Sequence, residues 1–512
     1  MKADLHQRHS PVHNLTLIVS RDSIRALVMS TLAFAVCFAS WVLNGVLITH
    51  LVEAQVFVFS KSQVGWLLGV PILTGSVLRL PAGLLTDKYG GRAVFTGLML
   101  VSALPMYLTS LASTFGEFLA ASLCFGLTGA SFAVGVAYVA VWTPPQRMGT
   151  ALGIFGAGNA GAALTSIFGP MLLSRLTFSG QYLDGWRTLP RIYAAVLVVT
   201  GLTFYLLTRT RLPRQGSGQS LVQRLIPLRS LQVWRFGLYY VAVFGGFVAL
   251  SQWMIPYYVN SYGVSVATAG LLTACFSLPS AATRSLGGWL ADRIGARSVM
   301  YWVFGVMIIG CGMLMIPKMD IESPGEGIMA SVSGTVRSVS ASHVFIDNKS
   351  YALRVPPPPG DASTALEMLV FPVITQWQEP VVKEGDRVSR QQLLARGITH
   401  LHFQANIIVF TAILFVVGCA MGIGMAGVFK HIPYYFPDSV GVTGGMVGVI
   451  GGLGGFACPI LFGYLLRLSG FWTSCWGFLL ILALICLIWM HAVIRRMLRE
   501  RAPDLEQLIE RH

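Results

Sequence analysis

The sequence is short of charge. Asp, Glu, Lys and Arg make up 11% of its 512 residues, against roughly 25% in an ordinary soluble domain. So few charges cannot cover a water-soluble fold of this size, which excludes a soluble globular enzyme. With 54% hydrophobic residues, a disordered chain is excluded as well. Patterned cysteine is also lacking. Cys37, Cys124, Cys275, Cys311, Cys419, Cys458, Cys475 and Cys486 lie in apolar stretches, with neither metal-ligand nor disulfide spacing. They read as small buried side chains, so no metal centre and no secreted disulfide scaffold is expected. Acid is scarcer than base: 21 Asp and Glu stand against 36 Lys and Arg, a net charge of +15. The surplus is not interleaved with aromatics on a soluble module, so it does not point to nucleic acid.

What the chain has in abundance is runs of about 20 apolar residues. They predict twelve membrane helices, near 26–49, 64–86, 93–112, 116–141, 149–174, 190–208, 236–259, 267–291, 298–317, 403–429, 440–466 and 471–494. The fold class is therefore an all-α polytopic membrane protein. One six-helix bundle fills 1–208, followed by a linker at 209–235. The second bundle is split into 236–318 and 403–494, with a tail at 495–512. The first run is long enough to stay as a span, so no cleaved signal peptide is expected. Basic residues concentrate in three connections: Lys2, Arg8, Arg21 and Arg25; Arg209, Arg211, Arg214, Arg224, Arg229 and Arg235; and Arg495, Arg496, Arg499, Arg501 and Arg511. The short loops on the opposite side hold only Lys61, Arg175, Arg187, Arg191, Lys318 and Arg467. The bias puts both termini in the cytoplasm.

The two halves repeat. Gly83-Leu-Leu-Thr-Asp87-Lys-Tyr-Gly90-Gly-Arg92 returns as Gly288-Trp-Leu-Ala-Asp292-Arg-Ile-Gly295-Ala-Arg297, a shift of 205 that also maps Arg79 onto Arg284. This loop resembles the signature of the major facilitator superfamily, whose fold is two six-helix bundles around a central substrate site. An Asp at a helix end can latch one state through an Arg or a helix N-terminus. Asp87, Arg92, Asp292 and Arg297 are therefore read as gating residues. A second repeat, Gly153-Ile-Phe-Gly156 to Gly448-Val-Ile-Gly451, is shifted by 295. The excess of 90 residues marks an insert at 319–402. Turn residues bound short strands near 330–336 and 350–355, and Val381 to Val388 resembles the turn of lipoyl- and biotinyl-type β hybrids. No carrier lysine stands at the hairpin, so no cofactor is expected on this small β-rich, extracytoplasmic segment.

Arg79 lies eight residues before Asp87, about 12 Å along a helix, which places it near the membrane midplane with Arg284 at the same depth. Charges there normally face a cavity or a partner. No Asp or Glu is predicted at that level. Either an anionic substrate sits between the two guanidiniums, or each bonds helix carbonyls or an acid that lies deeper than the spans predict. A planar fork suits a planar oxyanion, and Phe132, Tyr240 and Phe244 are candidates to stack on it. Asn159, polar in an apolar helix, either donates to the anion or bonds another helix. Glycines in the fifth span (Gly156, Gly158) and the eleventh (Gly451, Gly454) allow close packing and leave a ligand room.

Leu78-Arg79-Leu-Pro81, the Gly153–Gly161 run with Asn159, Val428-Phe-Lys430-His431-Ile-Pro433 and the eleventh-span glycines together resemble the NarK-type nitrate/nitrite porter family over nearly all of the chain but the insert. The resemblance implies a nitrate or nitrite carrier of a bacterial inner membrane, acting as a monomer. It implies substrate binding by Arg79 and Arg284, with contacts from Asn159, Tyr240, Phe132 and Phe244. The Phe-Lys-His-Ile-Pro form looks like the subgroup assigned to nitrate–proton symport, with Lys430 as a candidate for coupling. Symport is therefore favoured slightly over nitrate/nitrite exchange, though no midplane carboxylate offers itself as proton carrier. A carrier of another small anion or of organophosphates, and a membrane sensor reading the insert, are the other readings.

Overall fold

The computed structural model describes residues 21–144, 148–212, 226–316, 319–356, 373–403, 405–436 and 440–501. Lys2, Arg8, Arg214, Arg224, Lys318, Arg511 and most of the proline run at 356–359 lie outside them. Among the described residues twelve helices are long and apolar enough to cross a membrane. They are α1 (Arg21–Glu53), α2 (Lys61–Tyr89), α3 (Gly91–Thr109), α4 (Phe115–Trp142), α5 (Ala151–Leu176), α6 (Leu183–Leu207), α7 (Leu231–Tyr262), α8 (Val266–Ile294) and α9 (Ala296–Leu314). After the insert come α10 (Ile407–Tyr435), α11 (Val440–Ser469) and α12 (Ser474–Arg501). Several helices overrun the apolar runs, because hydropathy marks only the part in hydrocarbon. The largest difference is at α7, which begins at Leu231 and takes Arg235 from the expected linker into a buried position.

With twelve spans, both ends of the described chain and the 209–230 connection share one side, here called the tail side. The insert emerges on the other.

The insert is a small β domain. It has a three-stranded sheet of β1 (Met319–Met329), β7 (Leu393–Phe403) and β5 (Val373–Pro380). A four-stranded sheet is built from β4 (Lys349–Ala352), β3 (His343–Ile346), β2 (Gly334–Val339) and β6 (Arg387–Val388). Of the expected strand at 330–336, residues 334–336 open β2, while 330–333 form the bend between β1 and β2. Val336, Val344, Ile346, Val388 and Leu394 form a core of the domain's own. At the Val381–Val388 turn, Gly385 takes φ +89°, a conformation that favours glycine, and Asp386 accepts from the Lys383 N–H at 2.7 Å. β1 and β7 pair from Met319↔Phe403 to Met329↔Leu393, a ribbon standing on α9 and α10.

The two bundles are sealed to each other on the insert side, where glycines bring helix backbones together. A Cβ on Gly65 or Gly69 of α2 would strike the carbonyls of Pro459 (2.6 Å) and Phe456 (2.7 Å) in α11. One on Gly45 would lie 2.8 Å from the Cα of Gln252, and one on Gly270 would collide with the Ser166 carbonyl. Gln252 also donates to the Leu68 carbonyl at 3.3 Å across this seam. On the tail side the halves are looser. A Cβ on Gly153 would meet only Ser285, at 3.9 Å, and Ser285 is exposed.

Candidate functional site

Four helices lose regular geometry midway through their length. α2 breaks at Leu78. α4 tightens into a 3-10 turn at Gly126–Ala130 and α5 into another at Ala157–Ala160. α7 widens into a π turn at Val241–Gly245. Glycine clusters make such breaks cheap, and irregular backbone at membrane depth persists only where protein or a cavity surrounds it. π turns recur at functional sites. Each break delivers a candidate residue: Arg79 directly after Leu78, Phe132 just past the α4 turn, Asn159 inside the α5 turn, and Tyr240 and Phe244 on the α7 turn.

Arg79, Phe132, Tyr240 and Phe244 come together with Arg284. Arg79 is 4% exposed and Arg284 9%. The Phe132 ring lies between them, its centroid 5.5 Å from the Arg79 guanidinium carbon and 5.3 Å from that of Arg284. Phe244 and Trp41 give Arg79 two further faces, at 5.2 and 5.6 Å. Tyr240 stacks on Phe244 with centroids 4.9 Å apart and planes at 6°. Its hydroxyl accepts a long bond of 3.4 Å from Arg284 Nη2.

The two arginines are unequally satisfied. Arg79 donates from Nη1 to the Gly448 carbonyl at 2.7 Å and from Nε to the Gly129 carbonyl at 3.4 Å. Its three ring faces add cation–π attraction, up to about 2 kcal/mol each when desolvated. This is the carbonyl-bonded alternative, realised for one arginine. Arg284 has one ring face and one weak bond, and its Nη1 is buried without a partner. Asn159 is fully buried, and neither atom of its amide has a partner. A Cβ on Gly156, one turn before Asn159, would lie 3.4 Å from Arg284 Nε. Among the described residues no carboxylate pairs with either arginine. A buried cation and a buried amide with open donors are unfavourable unless a further group meets them.

The glycines divide. Gly156 leaves room at Arg284. Gly158 packs on the Phe34 ring, Gly451 on Tyr240, and Gly454 on Val241, so these three set helix spacing instead of facing the guanidiniums. The eleventh-span glycines beside Arg79 are Gly448 and Gly452, where a Cβ would come within 3.8 and 3.4 Å of Nη1. Their spacing of one helical turn was the available signal. Nothing in the sequence distinguished Trp41 from other apolar aromatics.

The signature-loop residues lie at the tail-side helix ends. Asp292 pairs with Lys430, and Arg297 donates to the Tyr435 hydroxyl at 3.0 Å. Arg92 donates twice to the Tyr205 carbonyl, at 2.9 and 2.6 Å, and covers that ring at 3.9 Å. Asp87 is exposed at the end of α2. Lys430 is therefore tied to the second-half signature loop. Its partner Asp292 stands eight residues beyond Arg284, about 12 Å along α8.

Residues 29–346 match the Major Facilitator Superfamily. The chain is 37% identical over 494 residues to "Probable nitrate/nitrite antiporter NarK1" of Thermus thermophilus, covering 96% of both chains. It is 28% identical to "Probable nitrate/nitrite transporter NarK2" of Mycobacterium tuberculosis (strain H37Rv), over 86% of this chain and 89% of that one. To "Nitrite extrusion protein" of Bacillus subtilis it is 24% identical, over 93% of this chain and 96% of that one. Among solved structures, a bacterial homolog of the human lysosomal transporter Spinster, inward-facing and unoccupied, aligns with a TM-score of 0.62 at 14% identity, over 94% of this chain and 99% of that one.

Proposed function

Since the chain belongs to the Major Facilitator Superfamily and, within it, to the NarK-type transporters, we propose that this multi-pass, non-enzymatic membrane protein carries nitrate and nitrite by alternating access, binding the anion between Arg79 and Arg284. The observation that carries the site is the open donor capacity at its centre: Arg284 Nη1 and the Asn159 amide, both buried and unpartnered. A planar oxyanion takes a guanidinium fork edge-on and lies against the Phe132 face. Both arginines come from one chain, so the unit of transport is a monomer. Closure on the insert side with looser packing on the tail side fits one of the two states that alternating access requires. The bias of basic residues supports a cytoplasmic tail side, and the bacterial relatives support a bacterial inner membrane.

Exchange of nitrate for nitrite is the coupling this site supports best. A negative interior opposes anion entry by about 2.3 kcal/mol per 100 mV, and swapping one monoanion for another cancels that cost. A carboxylate beside the substrate would be a ready proton carrier, and among the described residues none pairs with the arginines. Symport is the second reading. It rests on the Lys430–Asp292 pair at the latch, which could trade a proton with each opening. Proteoliposome uptake of labelled nitrate separates the two. Exchange predicts flux that requires internal nitrite and ignores an imposed pH gradient. Gradient-driven uptake into nitrite-free vesicles, lost in Lys430→Ala, would establish symport.

A further inference from the structure

A small cavity lies on the tail side of the second bundle, between the ends of α7, α9, α10 and α12 and apart from the arginine pair. Its walls include Arg235, Tyr239, Arg297, His431 and Tyr435. Three of these side chains carry buried polar atoms without a hydrogen-bond partner: Arg235 Nε, Tyr239 Oη and His431 Nε2. Arg235 and His431 are each 7% exposed and Tyr239 2%. The group is held rigidly. His431 stacks on Phe236 with centroids 5.3 Å apart and planes at 7°. Arg235 lies over the Tyr435 ring at 5.9 Å, and the Tyr435 hydroxyl accepts from Arg297 at 3.0 Å.

Two guanidiniums, the buried Arg235 and the half-buried Arg297, thus face one cavity. Among the described residues no carboxylate lines it, and Asp292 on the adjoining end of α8 is taken by Lys430. Burying like charges beside open donors is unfavourable unless an anion completes the cluster. The fourth wall is apolar, formed by Met490, Val493, Ile494 and Met497 of α12.

We propose that this cavity is a second anion site, distinct from the transport site, which takes a phosphate-type oxyanion on Arg235, Arg297, Tyr239 and His431. Two fixed positive charges and several donors suit a doubly charged or multiply accepting group better than a nitrate. The apolar α12 wall allows that phosphate to be the headgroup of an anionic lipid from the tail-side leaflet, its chains lying along α12. Free inorganic phosphate offers the same chemistry. An occupant would brace the base of α7 directly below Tyr240, and so bear on the transport site through that helix.

The test is thermal unfolding of the purified full chain in detergent, at constant ionic strength. One arm titrates inorganic phosphate against chloride. The other titrates short-chain phosphatidylglycerol against short-chain phosphatidylcholine. A saturable rise in Tm in either arm, beyond its control, supports the site and identifies the source. In Arg235→Gln the half-saturating concentration should rise about tenfold, and the milder Tyr239→Phe should raise it less. Arg79→Lys should leave the shift intact. No rise in either arm overturns the proposal. So does a rise with the same midpoint in Arg235→Gln/Arg297→Gln, or one abolished by Arg79→Lys. If phosphate acts only on a chain ending at Arg501, the carboxylates of Asp504, Glu506 or Glu510 fill the cavity and no external ligand is needed.

Discussion

Arg79 donates to the carbonyl of Gly448 at 2.7 Å, across the interface between the two bundles. The first bundle's midplane cation is thus held by backbone of the second. The bond meets a desolvated charge that would otherwise cost several kcal/mol in the membrane. It also ties the halves together at the level of the site. Arg284 has no equivalent carbonyl. The asymmetry suggests an order of events: an anion first meets the open donors of Arg284, then competes with Gly448 for Arg79.

That order makes the fork geometry essential on both sides. Arg79→Lys and Arg284→Lys keep the charge but lose the parallel donors and the flat face that Phe132 covers. Each lost charge-assisted hydrogen bond is worth about 1.5–3 kcal/mol, or roughly 10- to 150-fold. Uptake of labelled nitrate into proteoliposomes should fall by at least that factor in either variant, with the protein still inserted and folded. Wild-type flux in either one would remove that arginine from the site.

The glycines beside Arg79 give a sharper test, because the obstruction can be relieved. A methyl on Gly452 would run into the Ser76 side chain and sit 3.4 Å from Arg79 Nη1. Gly452→Ala should therefore raise the KM for nitrate, and adding Ser76→Gly should lower it again. At Gly454 the added methyl meets Val241, 2.6 Å from Cγ1, so Gly454→Ala should reduce Tm more than it alters KM. The reverse pattern would return Gly454 to the substrate site and remove Gly452.

The order of spans, the repeat that pairs Arg79 with Arg284, and the insert were all legible in the sequence. They rest on long-range regularities: apolar length, a shift of 205 and an excess of 90. The π turn behind Phe244 was not legible, since one extra residue in a helical turn leaves the composition unchanged. Which glycine faces Arg79 depends on helix rotation, and a run as dense as Gly444 to Gly455 offers several solutions at once. Arg235 misled in the other direction. By position it counted as a linker cation marking topology, but the early start of α7 folds it inward, against Phe236 and Tyr435.

The glycine seam on the insert side sets which state is favoured. Gly270 packs directly on the Ser166 carbonyl and within 2.9 Å of Pro170 if given a Cβ. Gly270→Val has nowhere to place its side chain while that seam is closed. Overpacking of this kind costs about 1–3 kcal/mol, enough to move a balanced two-state equilibrium by roughly 5- to 150-fold. Spin labels at Val58 and Ser261, on the insert-side ends of the two bundles, should show a longer separation in Gly270→Val than in the wild type. An unchanged distance distribution would mean that this seam does not control opening.

The insert tests whether transport belongs to the helices alone. Its core is separate from that of the bundles, and it is joined to them by the β1–β7 ribbon. Gly325 pairs with Gly397 in that ribbon, so the two strands are already neighbours there, about 5 Å apart as antiparallel partners are. Residues 326–396 can therefore be replaced by an Asn-Gly turn, which closes a hairpin with the twist of the flanking strands. Nothing at the arginine pair is touched by the change. Nitrate flux through the shortened chain should stay within about twofold of wild type, since the described residues of the insert supply no contact to the site and the ribbon still links α9 to α10. Retained flux would leave the insert an accessory of the outer face. Loss of flux in a chain that still inserts and folds would make the β domain part of the transport cycle, and would revive a sensing role for it.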